Sequence, residues 1–129
     1  MNSVNSEMAT MATLANSRSP RNVAAGELIY RDGDQGNTLF GVVSGEIELS
    51  SGETATEVID AGSSFGAAAL LDPDHRRFGS AKALTDAVIL EMNREEFLFA
   101  MQELPMFGVE MLHDLQTRLQ KVKTGLVQR

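Results

Sequence analysis

Few residues in this chain stand where chemistry would need them. The two histidines, His75 and His113, lie in different regions and no His-x-His occurs, so the clustered imidazoles of a histidine–carboxylate metal site are missing. There is no cysteine, which removes disulfides and thiolate ligands and fits a reducing, cytoplasmic compartment. No Ser/His/Asp order stands out, and Glu95-Glu96 sits where a helix would begin. The expectation is therefore no catalytic residue, no metal and no built-in cofactor. What remains is a place suited to an anion. Phe65-Gly66-Ala67-Ala68-Ala69-Leu70-Leu71 reads as a short helix, stopped by Asp72-Pro73-Asp74, and the start of a helix presents unpaired N–H groups. Arg77 follows shortly after, with His75 and Arg76 adding local positive charge.

The elements that must position these residues can be read from turns and periodicity. Residues 21 to 92 are punctuated by glycines, with strand-like segments between them: 27–31, 38–43, 46–50, 54–60, 80–84 and 87–92. Glu46-Ile47-Glu48-Leu49-Ser50 alternates polar and apolar, as a half-buried strand does. Many short strands at close spacing predict an antiparallel sandwich or barrel. From residue 93 the period changes. Asn93 can cap a helix that carries Glu95 and Glu96 in its first turn and ends near Glu103, before Pro105. A second helix runs from about Met106 to Lys123. Its apolar residues Leu112, Leu115, Leu119, Val122 and Leu126 are spaced 3, 4, 3 and 4, which is heptad spacing. Either this stripe lies on the chain's own β-domain or it is a homodimer seam. The basic residues Arg118, Lys121 and Lys123 suit the late part of a helix and are expected to be solvated. Met101, Met106 and Met111 are expected to fill gaps between the helices and the β-domain.

Composition bounds the rest. The 129 residues are 43% hydrophobic and 22% charged, enough for one compact domain. A net charge of −7, no tryptophan and 5% aromatics argue against direct DNA or single-strand binding. No apolar run approaches the roughly 20 residues of a membrane span. Residues 1–20 are rich in Ser, Thr and Asn and are expected to be a flexible lead-in, with 21–129 forming a single domain.

In this order, the segments Ala25-Gly26-Glu27-Leu28-Ile29, Asp32-Gly33-Asp34, Leu39 to Val43 with Ser44-Gly45-Glu46-Ile47-Glu48, Gly62-Ser63-Ser64-Phe65-Gly66, Arg77, and Ser80-Ala81-Lys82-Ala83 resemble the cyclic-nucleotide-binding domains of catabolite activators and protein-kinase regulatory subunits. The resemblance spans about Asn22 to Lys123. It implies a mainly β fold: an eight-stranded antiparallel jelly-roll barrel with a short phosphate-binding helix and a two-helix tail. It implies a regulatory module that binds a cyclic nucleotide or another anionic ligand, often as a homodimer through the last helix. The phosphate pocket would be Phe65, Gly66, Ala67, Ala68, Arg77 and Phe78, and Val122 and Lys123 would face the base.

Four positions depart from the family pattern. Ala67 stands where a glutamate accepts from the ribose 2′-hydroxyl, Phe78 follows the arginine where a small or hydroxyl residue is usual, and Val122 and Lys123 lack the base-facing hydroxyls. Losing one hydrogen bond to a charged partner costs roughly 1.5–3 kcal/mol, about tenfold to over a hundredfold in affinity. The implied site captures an anion through Arg77 and the helix amides but reads ribose poorly. Taken on the residues alone, Arg77 is either a surface partner of Asp72 or Asp74 or the anion reader, and Phe78 either fills the cavity or leaves it open. In the activator type a DNA-binding module follows the last helix, and none is expected before the chain closes at Arg129.

Overall fold

The computed structural model describes residues 20–127, the last two by their backbone alone. The expected N-terminal lead-in and the side chain of Leu126 lie outside the described residues. Among the described residues, eight strands and three helices follow in the order β1 (Arg21–Val23), β2 (Leu28–Tyr30), β3 (Thr38–Ser44), β4 (Ile47–Ser51), β5 (Thr54–Ile59), β6 (Ser64–Phe65), α1 (Ala68–Leu71), β7 (Ser80–Ala83), β8 (Ala87–Asn93), α2 (Arg94–Glu103) and α3 (Pro105–Val127). The strands form two four-stranded sheets, β1-β8-β3-β6 and β2-β7-β4-β5, with every pairing antiparallel. No ladder joins the sheets among the described residues, so the expected closed barrel is instead an open pair of sheets. Very short edge strands, β6 and β2, leave too few backbone groups to close it.

The first sheet is covered on both faces, which explains its near-continuous apolar strands. In β3, Phe40 and Val42 point toward the second sheet, while Leu39, just before Phe40, points to the helices. In β8, Ala87 and Ile89 take the inner face, and Leu90 and Met92 the helical one. One core, including Val23, Ile47, Ile59, Phe65, Ala81 and Ala83, therefore lies between the sheets. A second core joins Leu39, Leu70, Leu90 and Met92 to Ala100 of α2 and Phe107 and Met111 of α3.

Asn93 ends β8 and caps α2 at the same time. Its side-chain oxygen accepts from the Glu96 N–H at 2.9 Å, and the Glu96 carboxylate accepts from the Asn93 N–H at 2.8 Å. This reciprocal cap stabilises the helix start by about 1 kcal/mol. Beyond Met111, α3 leaves the core. Leu112 is 67% exposed, and Leu115 and Leu119 are exposed as well. Of the three methionines expected to fill gaps, Met111 is buried, but Met101 and Met106 face solvent.

Candidate functional site

The short helix is real but starts later than expected. Ser64 and Phe65 belong to β6, paired to Gly41 and Phe40 of β3. Gly66 then turns the chain with φ +86°, a left-handed conformation that a side chain resists, and α1 begins only at Ala68. Strand pairing overrides helix propensity at Phe65, because its ring is needed between the sheets, stacked 5.1 Å from Phe40.

Phe65, Gly66, Ala67, Ala68, Arg77 and Phe78 all line one cavity of about 420 Å³. β4 contributes Leu49, Ser50 and Ser51, β7 contributes Ser80, and α3 closes one side with Leu115 and Arg118. Phe78 is 63% exposed, so its ring stands at the mouth and does not fill the cavity. Val122 and Lys123 are not in it. Val122 lines a neighbouring groove of about 1050 Å³ between α3 and the edge strand β5, where His113 also lies, and Lys123 is exposed and lines neither.

Arg77 is neither a surface ion-pair partner nor an open donor. It is 5% exposed. Its Nη1 donates to the carbonyls of Thr38 at 2.8 Å and Gly66 at 3.0 Å, and its Nη2 donates to Thr38 Oγ1 at 3.0 Å. The guanidinium lies 4.5 Å over the Tyr30 ring and 5.2 Å from the Phe40 ring, within cation–π range. Two glycines make room for it. A Cβ on Gly36 would come within 2.6 Å of the Arg77 guanidinium, and one on Gly66 within 2.8 Å of Nη1. The backbone holds this loop in place through Arg77 N–H to Asp34 O and Gly33 N–H to Arg77 O. Burial lowers the Arg77 pKa, partly offset by Tyr30, Asp34 and Glu91, and burial raises that of Tyr30, against the pull of Arg77 and Arg118. His75 is a loop residue, as expected, with Nδ1 2.9 Å from the Ala69 carbonyl.

Arg118 is the residue that sequence reasoning placed in solvent and the structure places in the site. Its side chain is only 12% exposed. It donates to Glu57 Oε1 at 2.8 Å, to the Ser64 carbonyl at 2.6 Å and to Asp114 Oδ2 at 3.1 Å. Burial works against its charge, but the hydrogen bonds and attraction of Glu57 and Asp114 outweigh it and raise its pKa. Asp114 lies four residues before Arg118, a spacing visible in the sequence. Glu57, 61 residues away, carries no local signal.

Two antiparallel sheets, a short helix facing a cavity and a two-helix tail make up the architecture of a cyclic-nucleotide-binding domain. The chain belongs to that family: the cyclic nucleotide-binding domain profile matches residues 20–103. It is 31% identical over 106 residues to the cyclic AMP receptor protein of Thermus thermophilus, covering 78% of this chain and 49% of that protein. The chain thus spans about half the length of the curated relative it matches. A solved structure described with a cyclic-GMP-dependent signalling pathway in bacterial phytopathogenesis is 27% identical, with a TM-score of 0.74 and coverage of 94% of this chain and 95% of that one. The c-di-GMP-responsive regulator CLP of Xanthomonas campestris shares the fold at a TM-score of 0.79 and 17% identity, covering 91% and 61% of the two chains.

Proposed function

We propose that the chain is a non-catalytic, cytoplasmic ligand-sensing module that acts as a regulator and has weak affinity for cyclic nucleotides. One observation carries this reading. The cavity is walled by the Phe65–Ala68 turn on one side and by Leu115 and Arg118 of α3 on the other, so an occupant touches the ligand cassette and the last helix together. Exposed Leu112, Leu115 and Leu119 support a homodimer through α3. Weak nucleotide affinity follows from Ala67, which offers no acceptor to a ribose hydroxyl, and from Arg77, three of whose N–H groups already serve Thr38 and Gly66. Titration calorimetry with cyclic AMP and cyclic GMP is expected to give dissociation constants in the millimolar range or weaker. Micromolar binding of either would reject the weak-affinity reading.

A second reading is favoured by those same engaged donors: a ligand-free dimerisation or protein-interaction module on the same fold, with no direct DNA contact. Light scattering decides the shared part. A dimer is expected, and Leu112→Glu with Leu119→Glu should convert it to monomer. A monomeric wild-type mass at high micromolar concentration would reject the seam.

A further inference from the structure

We infer that the cavity beside α1 takes an uncharged, mainly apolar small molecule in place of an anion. The inference rests on the ligand-sensing reading above and names the ligand class for that site.

An anion needs donors that are free to turn toward it, and each of the cavity's two cations already commits three of its five N–H groups to the protein. Arg77 serves two carbonyls and a hydroxyl and stacks on two rings, so turning toward an anion would leave Thr38 and Gly66 without their donor in a buried place. Arg118 is held by two carboxylates, and an anion approaching it would face Glu57 and Asp114 at close range. Ala67 supplies no polar side chain in the turn.

The surroundings suit a neutral ligand instead. Leu71 and Phe78 are 74% and 63% exposed beside the cavity, an apolar rim left uncovered among the described residues. Leu49, Phe65 and the alanines of α1 continue that surface inward. Two hydroxyls on the lining keep spare hydrogen-bonding capacity. Ser80 Oγ accepts from the Asp32 N–H and retains its own proton to donate, and Thr56 Oγ1 donates to the Leu49 carbonyl and retains a lone pair to accept. An apolar hollow of about 420 Å³ with a few placed polar groups is the usual form of a small-molecule site. A molecule with one hydroxyl or carbonyl on an apolar frame matches it.

The test uses the uncharged dye Nile red, followed by fluorescence on the full chain. Saturable binding is expected, unaffected by micromolar cyclic AMP, cyclic GMP or sulfate. Ala68→Trp, at an exposed position of α1, should block it, and Phe78→Ser should weaken it roughly tenfold, with melting temperatures showing that both variants fold. Leu112→Glu with Leu119→Glu should leave binding intact, since neither residue lines the cavity. Displacement of the dye by a cyclic nucleotide or sulfate would overturn the neutral-ligand inference while leaving the ligand-sensing reading standing. Loss of binding only in the Leu112/Leu119 variant would overturn the inference by placing the dye on α3. Binding of neither dye nor nucleotide would overturn both.

Discussion

Arg77 and Arg118 border the same cavity and are both largely buried, yet they are neutralised in opposite ways. Arg118 has two carboxylates and a carbonyl. Arg77 has no carboxylate among its hydrogen-bond partners. Its charge is met by carbonyl and hydroxyl oxygens and by two ring faces, with glycines at 36 and 66 clearing its path. The contrast separates two uses of a guanidinium. Arg118 ties α3 to β5 through its charge pair with Glu57, which salt and partner deletion can weaken, and to β6 through the Ser64 carbonyl. Arg77 ties the Gly66 turn to β3 through the backbone itself, and only its own removal can undo that.

Replacing Arg77 by Ala should have the largest effect. It removes three hydrogen bonds and leaves a void between the sheets, at a cost of roughly 3–5 kcal/mol in urea unfolding. Arg77→Met, which keeps volume and removes the charge, should cost clearly less, because apolar replacements of buried charges are often tolerated. Equal losses for the two would mean that the polar bonds, and not the packing, dominate.

Gly66→Ala should cost roughly 1–3 kcal/mol, from strain at positive φ and from the collision with Nη1. Gly36→Ala meets the same guanidinium without a positive φ. Combined with Arg77→Met it should show a favourable coupling of at least about 0.5 kcal/mol in a double-mutant cycle. Strict additivity would break the idea that the glycine exists to admit the arginine.

Arg118→Ala should cost roughly 1–3 kcal/mol, and raised salt should narrow its difference from wild type, whereas the Arg77 variants should be nearly indifferent to salt. The smallest effect concerns Tyr30, under Arg77. Its folded pKa is raised above 10.0, so the native state holds the phenolic proton longer than the unfolded chain does. Stability is then constant below about pH 10 and falls as pH rises from there toward the folded pKa. Tyr30→Phe should flatten that alkaline limb in pH-dependent unfolding.

Local signals in the sequence and long-range ones fared differently. The strands at 38–44 and 87–93 were legible because their apolar residues are many, with glycines at 36 and 45 marking the ends of the first, and α2 was legible to the residue through Asn93 and Glu96. β1 was missed: three residues hold no period, and its order depends on pairing with β8. The cassette residues were legible as a group through Phe65-Gly66 and Arg77, and the structure brings them together. The direction in which Arg77 points was not, since it depends on Thr38, Tyr30 and two glycines far apart in the chain. Arg118 was misplaced for a related reason. Its position late in a basic helix looks like a solvated one, and Glu57 comes to it only through the fold. The base-facing assignment to Val122 and Lys123 carried the register of the relatives' last helix into a segment with few landmarks, and that helix here puts Val122 against β5 instead.

Asn93 has a mechanical consequence. The last strand passes into α2 with no spare residue, and the reciprocal cap clamps the joint on both sides. No slack exists there. The chain regains an irregular residue only at Leu104, with φ −133° and ψ 72°, before Pro105 opens α3. An elbow at that single residue, braced by Phe107 and Met111 against the sheet, is where the long rod could pivot while the short one stays welded to the β framework.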